Sequence, residues 1–457
     1  MRKLIGITSG LFFICSTALN AQSKKWSLDD CVKYAMDNNI SIQLTEFESK
    51  TATINAKEAF GSFLPSVNAT GSHSWNIGLN QDITTGLLQN KTTQFSSASA
   101  SVGIDIYKGL QNQNTRRRAN LSIVSAQYQL LKMKEDISLN VANAYLQVLF
   151  NVESLKIQKE QLNIDEKQYR RTEDLVKAGT IPRGDLLDSK ATVALDNQKL
   201  VNASNLLLIS KLSLTQLLQL KDFKNFDIVE ENEFTVRSSI LMETPESILD
   251  VAKEKMTDIK IAQTNLAIAE KNVAIAKGAL QPVLKGFYNF NTRISYADIA
   301  LRDTNGSVIG VQSAPPFFDQ FSDNKGQSFG AQLNVPVFNG FSVRNSIERS
   351  KVDFEKSKIA LEQQNLDLER NVYTAFTDAN GALKSYESAL ESLEARQESF
   401  RYANEKFEVG LMNSFDLSQS QTFLSNAQSE VLRTKYDYIF KIKILEFYFG
   451  IPIVKYQ

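Results

Sequence analysis

Residues 97–106 alternate small or polar positions (Ser97, Ser99, Ser101, Gly103, Asp105) with apolar ones (Ala98, Ala100, Val102, Ile104, Ile106). A period of two predicts a strand with one polar and one apolar face. The pattern then changes abruptly. From Leu110 to Ala178 there is neither Gly nor Pro, and Ile123, Val124, Leu130, Leu131, Ile137, Val141, Ala144, Tyr145, Val148, Leu155 and Leu162 recur at threes and fours. That is the apolar stripe of an amphipathic helix, with Lys132, Lys134, Glu135 and Asp136 filling the other side. The pattern predicts one helix over 111–177, a short turn and a return helix over 185–218. At 1.5 Å per residue the first helix would span about 100 Å, far beyond the three or four turns usual in a globular domain.

The same sequence of patterns occurs twice. GIDIYKGLQNQN (103–114) aligns with NVPVFNGFSVRN (334–345), placing Gly109 on Gly340 at an offset of 231. That offset, without a gap, sets Gly179 on Gly410, Asp185 on Asp416, Leu186 on Leu417 and Ser189 on Ser420. Upstream, Pro65 falls on Pro282 at an offset of 217, so a difference of 14 residues is expected in the loop between two strands. The chain reads as a signal over 1–21, a first repeat over 22–245 and a second over 246–457. Each repeat is predicted to run helical stretch (27–63, 246–280), two strands, long helix (111–177, 342–408), turn, return helix (185–218, 416–447) and a connecting segment or tail. Two copies are too few for a solenoid.

Three further strands alternate. Residues 67–79 set Val67, Ala69, His73, Trp75, Ile77 and Leu79 against Asn68, Thr70, Ser72, Ser74 and Asn76. Residues 282–292 set Leu284, Tyr288 and Phe290 against Lys285, Asn289 and Asn291, with Phe287 breaking the rule. Residues 328–338 set Phe329, Ala331, Leu333, Val335 and Val337 against Ser328, Gln332 and Asn334. About ten alternating residues is the length of a membrane-spanning strand. The polar faces are Ser, Asn, Thr and Gln, which suits a wet lumen, and Trp75, Tyr107, Tyr288 and Phe338 are candidate membrane-interface aromatics. A half-buried sheet packed on helices would alternate in the same way. Four strands cannot close a barrel, so a barrel reading requires several chains. Loops over 80–93 and 297–326 are expected at its outer end.

Composition narrows the setting. The 457 residues carry 51 basic and 51 acidic side chains, no footprint for nucleic acid. Arg2 and Lys3, the apolar run Leu4 to Ala18 and Ala21 before Gln22 read as an export signal. Cys15 is discarded with it, leaving Cys31 as the one cysteine of the mature chain, so no intrachain disulfide forms. No later stretch has the roughly 18 apolar residues of a membrane helix. Catalytic chemistry is not visible. His73, the only histidine, lies on an apolar strand face, which argues against a zinc cluster, a Cys–His pair or a triad. No GxxxxGK[ST] loop occurs. Arg116, Arg117 and Arg118 open the long helix as a solvated or headgroup-facing cluster. Asp185 and Asp416, each following a Gly turn at a helix start, read first as N-caps.

FEVGLMNSFDLSQSQTFLSNAQ (407–428), with its first-half counterpart LVKAGTIPRGDLLDSKATVALDNQ (175–198) and LPSVNATGSHSW (64–75), resembles the helix turns and helix-to-strand junction of the TolC family of outer-membrane efflux proteins. The resemblance covers nearly the whole mature chain. It implies an α+β membrane protein: a trimeric β-barrel with four strands per chain, continued by a long α-helical, coiled-coil-like periplasmic tunnel. It implies a passive export duct of a tripartite efflux or type I secretion system, not an enzyme and with no cofactor. The implied partners are two further copies, a periplasmic adaptor (membrane fusion protein), an inner-membrane pump and the lipid bilayer. The implied location is the outer membrane of a Gram-negative cell. Constriction aspartates carry over to Asp416, with Asp185 and Asp188 in the first half, while a second acidic position is Gln419 here. Tip-turn and adaptor contacts carry over to Gly179, Arg183, Gly410, Phe407 and Met412. The family's gate-latching tyrosine and arginine fall on Phe407 and Met412, so Arg183 becomes the candidate substitute. The competing reading is a soluble periplasmic coiled-coil scaffold or adaptor.

Overall fold

The structure, a computed structural model, describes residues 25–82, 86–221, 223, 225–230 and 239–452. The export signal expected over 1–21, with Cys15, lies outside the described residues. In chain order the first repeat holds β1 (Lys25–Trp26), α1 (Leu28–Asn38), α2 (Ile40–Gly61), β2 (Ser66–Gln81), β3 (Leu88–Lys108), α3 (Gln111–Lys177), α4 (Arg183–Leu217) and β4 (Asp227–Ile228). The second holds α5 (Pro245–Lys255), α6 (Thr257–Gly278), β5 (Val283–Ser295), β6 (Ile299–Arg302), β7 (Val308–Gln312), α7 (Phe317–Asp323), β8 (Gly326–Asn334), α8 (Ser342–Glu408) and α9 (Ser414–Tyr448). The duplication shows in the lengths. α1 and α5 have 11 residues each, α2 and α6 have 22, α3 and α8 have 67, and α4 and α9 have 35.

The expected single helical stretches over 27–63 and 246–280 are each broken in two, at Asn39 and at Met256. Both residues leave the helical region, with ψ 128 in each. At Asn39 the break is held by side-chain bonds. Its Nδ2 donates to the Leu217 carbonyl (3.0 Å) and its Oδ1 accepts from Ser41 N (2.9 Å).

The chain forms two compact units, each drawing on both repeats. One comprises 1–42, 134–252 and 371–457. Its core buries Val32, Ala35, Val141, Tyr145, Leu214, Ile248, Ile439 and Leu445. A two-residue parallel ladder, Lys25↔Asp227 and Trp26↔Ile228, lies against it. The buried Tyr145 hydroxyl satisfies that ladder's end by donating to the Val229 carbonyl (2.7 Å). Of the connecting segment between α4 and α5, residues 222, 224 and 231–238 lie outside the described residues, and in the second repeat α9 runs on to Tyr448.

The other unit comprises 43–133 and 253–370. In it α3 runs antiparallel to α6. Arg118 bonds Asn272 (3.3 Å), Ser125 bonds Asn265 (3.1 Å) and Lys132 bonds Asp258 (3.0 Å). The contacts step by seven residues on both helices, the period of a coiled coil. Above them lies one antiparallel sheet in the order β2-β3-β5-β8. Its strands have 16, 21, 13 and 9 residues, not a uniform ten. β2 runs on to Gln81 and β3 begins at Leu88, so the first outer connection is shorter than the expected 80–93. The second, expected over 297–326, carries the β6–β7 hairpin and α7. The fourth strand ends at Asn334, short of the expected 338, because Pro336 has no N–H to pair.

At the junctions below the sheet, Gly109 (φ 56) and Gly340 (φ 60) occupy left-handed backbone. Their surroundings differ. A Cβ at Gly109 would overlap the Gly278 carbonyl oxygen, whereas one at Gly340 would meet nothing within 4 Å. Gly340→Ala should cost only the left-handed strain, about 1–2 kcal/mol. Gly109→Ala should cost several times more, because backbone must move. Circular-dichroism melting in detergent checks this, and equal midpoints for the two variants would contradict it.

Candidate functional site in the helical turns and the sheet faces

Two helix reversals share one backbone. After α3, Gly179 (φ 75) ends the helix with Thr180 N–H on the Leu175 carbonyl (3.0 Å). After α8, Gly410 (φ 76) does so with Leu411 N–H on the Lys406 carbonyl (2.8 Å). This six-to-one closure with a left-handed Gly satisfies the terminal carbonyls. The return helices α4 and α9 then start at Arg183 and Ser414.

The predicted aspartates are not the caps. The N-cap positions are Pro182, which has no side-chain acceptor, and Asn413, whose Oδ1 accepts from Asp416 N (2.8 Å). Asp185 and Asp416 sit three residues into their helices. There a carboxylate offsets the helix dipole without committing its oxygens to the cap. Asp416 is exposed and Asp185 half-buried. Arg183 is exposed at the first residue of α4 and makes no ion pair among the described residues. The aromatic at the latch position, Phe407, is engaged instead by Arg171, whose guanidinium lies 5.4 Å from the ring centre. A ring without a hydroxyl is held there through its π face. Met412 is half-buried, while Val409, Leu411 and Phe415 expose apolar surface around Gly410.

Between α3, α4 and α9 lies a cavity of about 50 Å³ lined by Asp165, Gln168, Thr172, Asp185, Asp188 and Gln421. Thr172 Oγ1, Gln168 Nε2 and Gln421 Nε2 are buried on its wall without a partner in the protein, so the cavity is suited to hold water. Asp165, on its wall, and Asp196, to which Asp165 hydrogen-bonds, are both buried. Asp196 pairs with Lys199 Nζ (2.8 Å), and Asp165 accepts from Gln161 Nε2 (2.7 Å). Burial, and then the hydrogen bond to Asp196, push the Asp165 carboxyl up to about 7. Sequence patterning misses this pair, because an Asp on a long helix reads as part of the charged face. The only available signal was two acids in helices expected to run antiparallel.

The sheet separates its faces row by row. One row is Val67↔Val102↔Tyr288↔Phe329, and the next is Asn68↔Ser101↔Asn289↔Ser328. On the polar face Thr70 bonds Ser99 (2.7 Å) and Ser72 bonds Ser97 (2.8 Å). Phe287 falls on this polar face between Gly103 and Gly330, with its ring lying over Gly330, which explains its break from alternation. On the apolar face His73 bonds Ser96 (2.7 Å) and lies edge-on to Trp75. Trp75 and Tyr288 are on this face, Tyr107 is tied to Gln281, and Phe338 lies beyond the end of β8. Among the described residues no His, Cys, Asp and Glu group could hold a metal, and no helix is long and apolar enough to cross a membrane.

The shift of Asp165 sets a pH dependence. Its carboxyl is raised from 3.8 to about 7, so between those values the folded chain holds a proton that the unfolded chain has lost. Its contribution is full at acid pH and declines as pH rises through about 7. Asp165→Asn should leave stability near pH 4 little changed and raise it above pH 8 relative to the parent. Melting midpoints of both proteins across this range check it, and parallel curves would contradict it.

Comparison with known proteins agrees with this arrangement. No curated protein sequence matches. Among solved structures, the outer membrane protein VceC from Vibrio cholerae superposes with a TM-score of 0.75 at 14% identity, covering 93% of this chain and 96% of that one. The CmeC outer membrane channel of Campylobacter jejuni gives 0.71 at 17%, covering 93% and 86%. The open state of the Neisseria gonorrhoeae MtrE outer membrane channel gives 0.71 at 13%, covering 93% and 88%. The model of the outer membrane efflux protein family matches residues 32–219 and 248–443. That match takes in both repeats, so the chain belongs to the outer membrane efflux protein family.

Proposed function

We propose that three copies of this chain form an outer-membrane efflux channel, a passive duct with no catalytic step of its own. The observation that carries this reading is the four-stranded sheet with one apolar and one polar face and two open edges, β2 and β8. Open edges in lipid leave backbone N–H and C=O groups unpaired. Three sheets joined edge to edge remove the edges and keep every neighbour antiparallel. The polar face then lines the lumen, and the helical hairpins continue into the periplasm.

The partners are a periplasmic adaptor and an inner-membrane pump. The apolar surface of Val409, Leu411 and Phe415 beside Gly410 supports adaptor docking at the turns, with Gly179 and Arg183 at the equivalent first turn. Asp416, Asp185 and Asp188 supply the charge of a periplasmic constriction. Around a three-fold axis each position repeats three times, and like carboxylates brought close favour cations over anions.

Two measurements test this. Analytical ultracentrifugation in a detergent that preserves the fold should give a trimer, and a folded monomer would overturn the shared barrel. In planar bilayers a trivalent cation on the periplasmic side should block conductance, and Asp416→Asn should weaken the block several-fold with Asn413 still capping α9. If Asp416→Asn and Asp185→Asn, alone and combined, leave block and selectivity unchanged in an intact trimer, these aspartates serve their helices only.

A further inference from the structure

The two edge strands differ in length. β2 has 16 residues and β8 has 9, so at least seven residues of β2 exceed what β8 can pair. Both strands join their helices at the same end, β2 after α2 and β8 before α8. The unmatched part of β2 is therefore its outer part, which includes Trp75, Ile77 and Leu79.

The same shortfall exists inside the chain, and there α7 fills it. β8 pairs with β5 only as far as Asn291↔Gly326, whereas β5 continues to Ser295. Beyond that point the amide of Gln320, itself buried, stands in for a strand. Its Oε1 accepts from Ser295 N (3.0 Å) and its Nε2 donates to the Ser295 carbonyl (2.9 Å). Asn324 Nδ2 donates to the Arg293 carbonyl (2.7 Å), and Thr292 Oγ1 donates to the Phe321 carbonyl (3.1 Å). Phe321 packs on Phe290, on the apolar face (6.1 Å between centroids). α7 thus occupies the line along which β8 would have continued, fixed to β5 on one side. Phe318 is uncovered at 81% exposed, and Phe317, although stacked on Phe321, keeps 44% of its surface exposed.

We infer that α7 is a wedge between subunits, with its Phe317 and Phe318 packed against Trp75, Ile77 and Leu79 on the overhanging β2 of the next copy of this chain. The inference rests on the trimeric reading above. Closing the ring sets β8 of one copy beside β2 of the next, which places α7 beside the part of β2 that β8 does not reach. The two surfaces match in chemistry. Trp75, Ile77 and Leu79 are 59%, 81% and 74% exposed on the sheet's apolar face, the face on which α7 packs. Lipid is the weaker occupant, because the exposed Asp319 and Asp323 of α7 are costly among acyl chains. The wedge also accounts for a helix inside an outer loop, where an unstructured connection would suffice.

Cysteine cross-linking tests the contact. Cys31, the one cysteine of the described chain, is fully buried, so the parent protein is the blank. Phe318→Cys combined with Ile77→Cys, and independently Phe317→Cys with Leu79→Cys, are treated with a short bismaleimide in folded, detergent-extracted protein. Leu333→Cys with Val67→Cys reports the β8–β2 seam itself. The expected result is dimer and trimer bands from an α7 pair that vanish when either cysteine is omitted. Seam cross-links without any from either α7 pair would overturn the wedge and leave the trimer standing. So would an α7 cross-link that stays within one chain. Absence of every cross-link in a protein that sediments as a folded monomer would overturn the trimeric reading together with the wedge.

Discussion

The backbone of a strand in hydrocarbon has no water to bond, and that constraint shapes this whole chain. A helix would satisfy its own backbone, but no described helix is apolar enough to cross. In an outer membrane efflux protein the element with one apolar and one polar face is the sheet, and a sheet in lipid tolerates no edge. The even strand count per chain, the wholly antiparallel order β2-β3-β5-β8 and the clean division of faces all suit the proposed closure on copies of itself. The long helices follow in turn. Each strand pair feeds into helices that must pack beside one another, and the seven-residue ladder between α3 and α6 shows how that packing begins directly below the sheet.

Patterns that run for many residues were legible in the sequence, and features made by one or two residues were not. The 67-residue helices and the two-fold repeat could be read because dozens of positions carry the same periodicity. Strand faces could be read for the same reason. The helix breaks at Asn39 and Met256 could not, since neither Gly nor Pro marks them and Asn39 is held by a bond to Leu217, 178 positions away. The β1–β4 ladder is two residues long and has no period to detect. At the turns Asp185 and Asp416 read as N-caps, whereas the cap positions are Pro182 and Asn413, three residues earlier, because the helices start sooner than the first acid signals. Arg171 and Asp165 escaped because their partners, Phe407 and Asp196, are distant or on the facing helix.

The two repeats have kept their backbones and diverged in their contacts. Gly179 and Gly410 adopt φ of 75 and 76, and the carbonyl closures that follow are the same. Around that common turn the chemistry differs. At the first reversal the start of α4 has no capping side chain, and Asp185 lines a polar cavity shared with Asp165. The second has an Asn cap, leaving Asp416 exposed and free of backbone duties. Backbone geometry at a helix reversal depends on Gly and on carbonyl bonding, which any surrounding side chains permit. A duplicated turn can therefore be retained while its acids are turned to separate ends.

The sheet shows the complementary case, in which the contacts survive although the backbone differs. In the first hairpin two long strands pair through 16 registers. In the second the partner strand stops early, and the N–H and C=O of Ser295 and the C=O of Arg293 are met by Gln320 and Asn324 from α7. The satisfied backbone is the invariant, and strand or side-chain amide is the means. The apparent 14-residue excess of the second repeat is thus a replacement as well as an insertion: strand was shortened, and a helix took over its hydrogen bonds. A ring built from three such sheets alternates long and short strands at every seam. In the proposed trimer strands alone would leave the outer part of β2 unmatched, and the element that completes β5 is the one that would lie beside it.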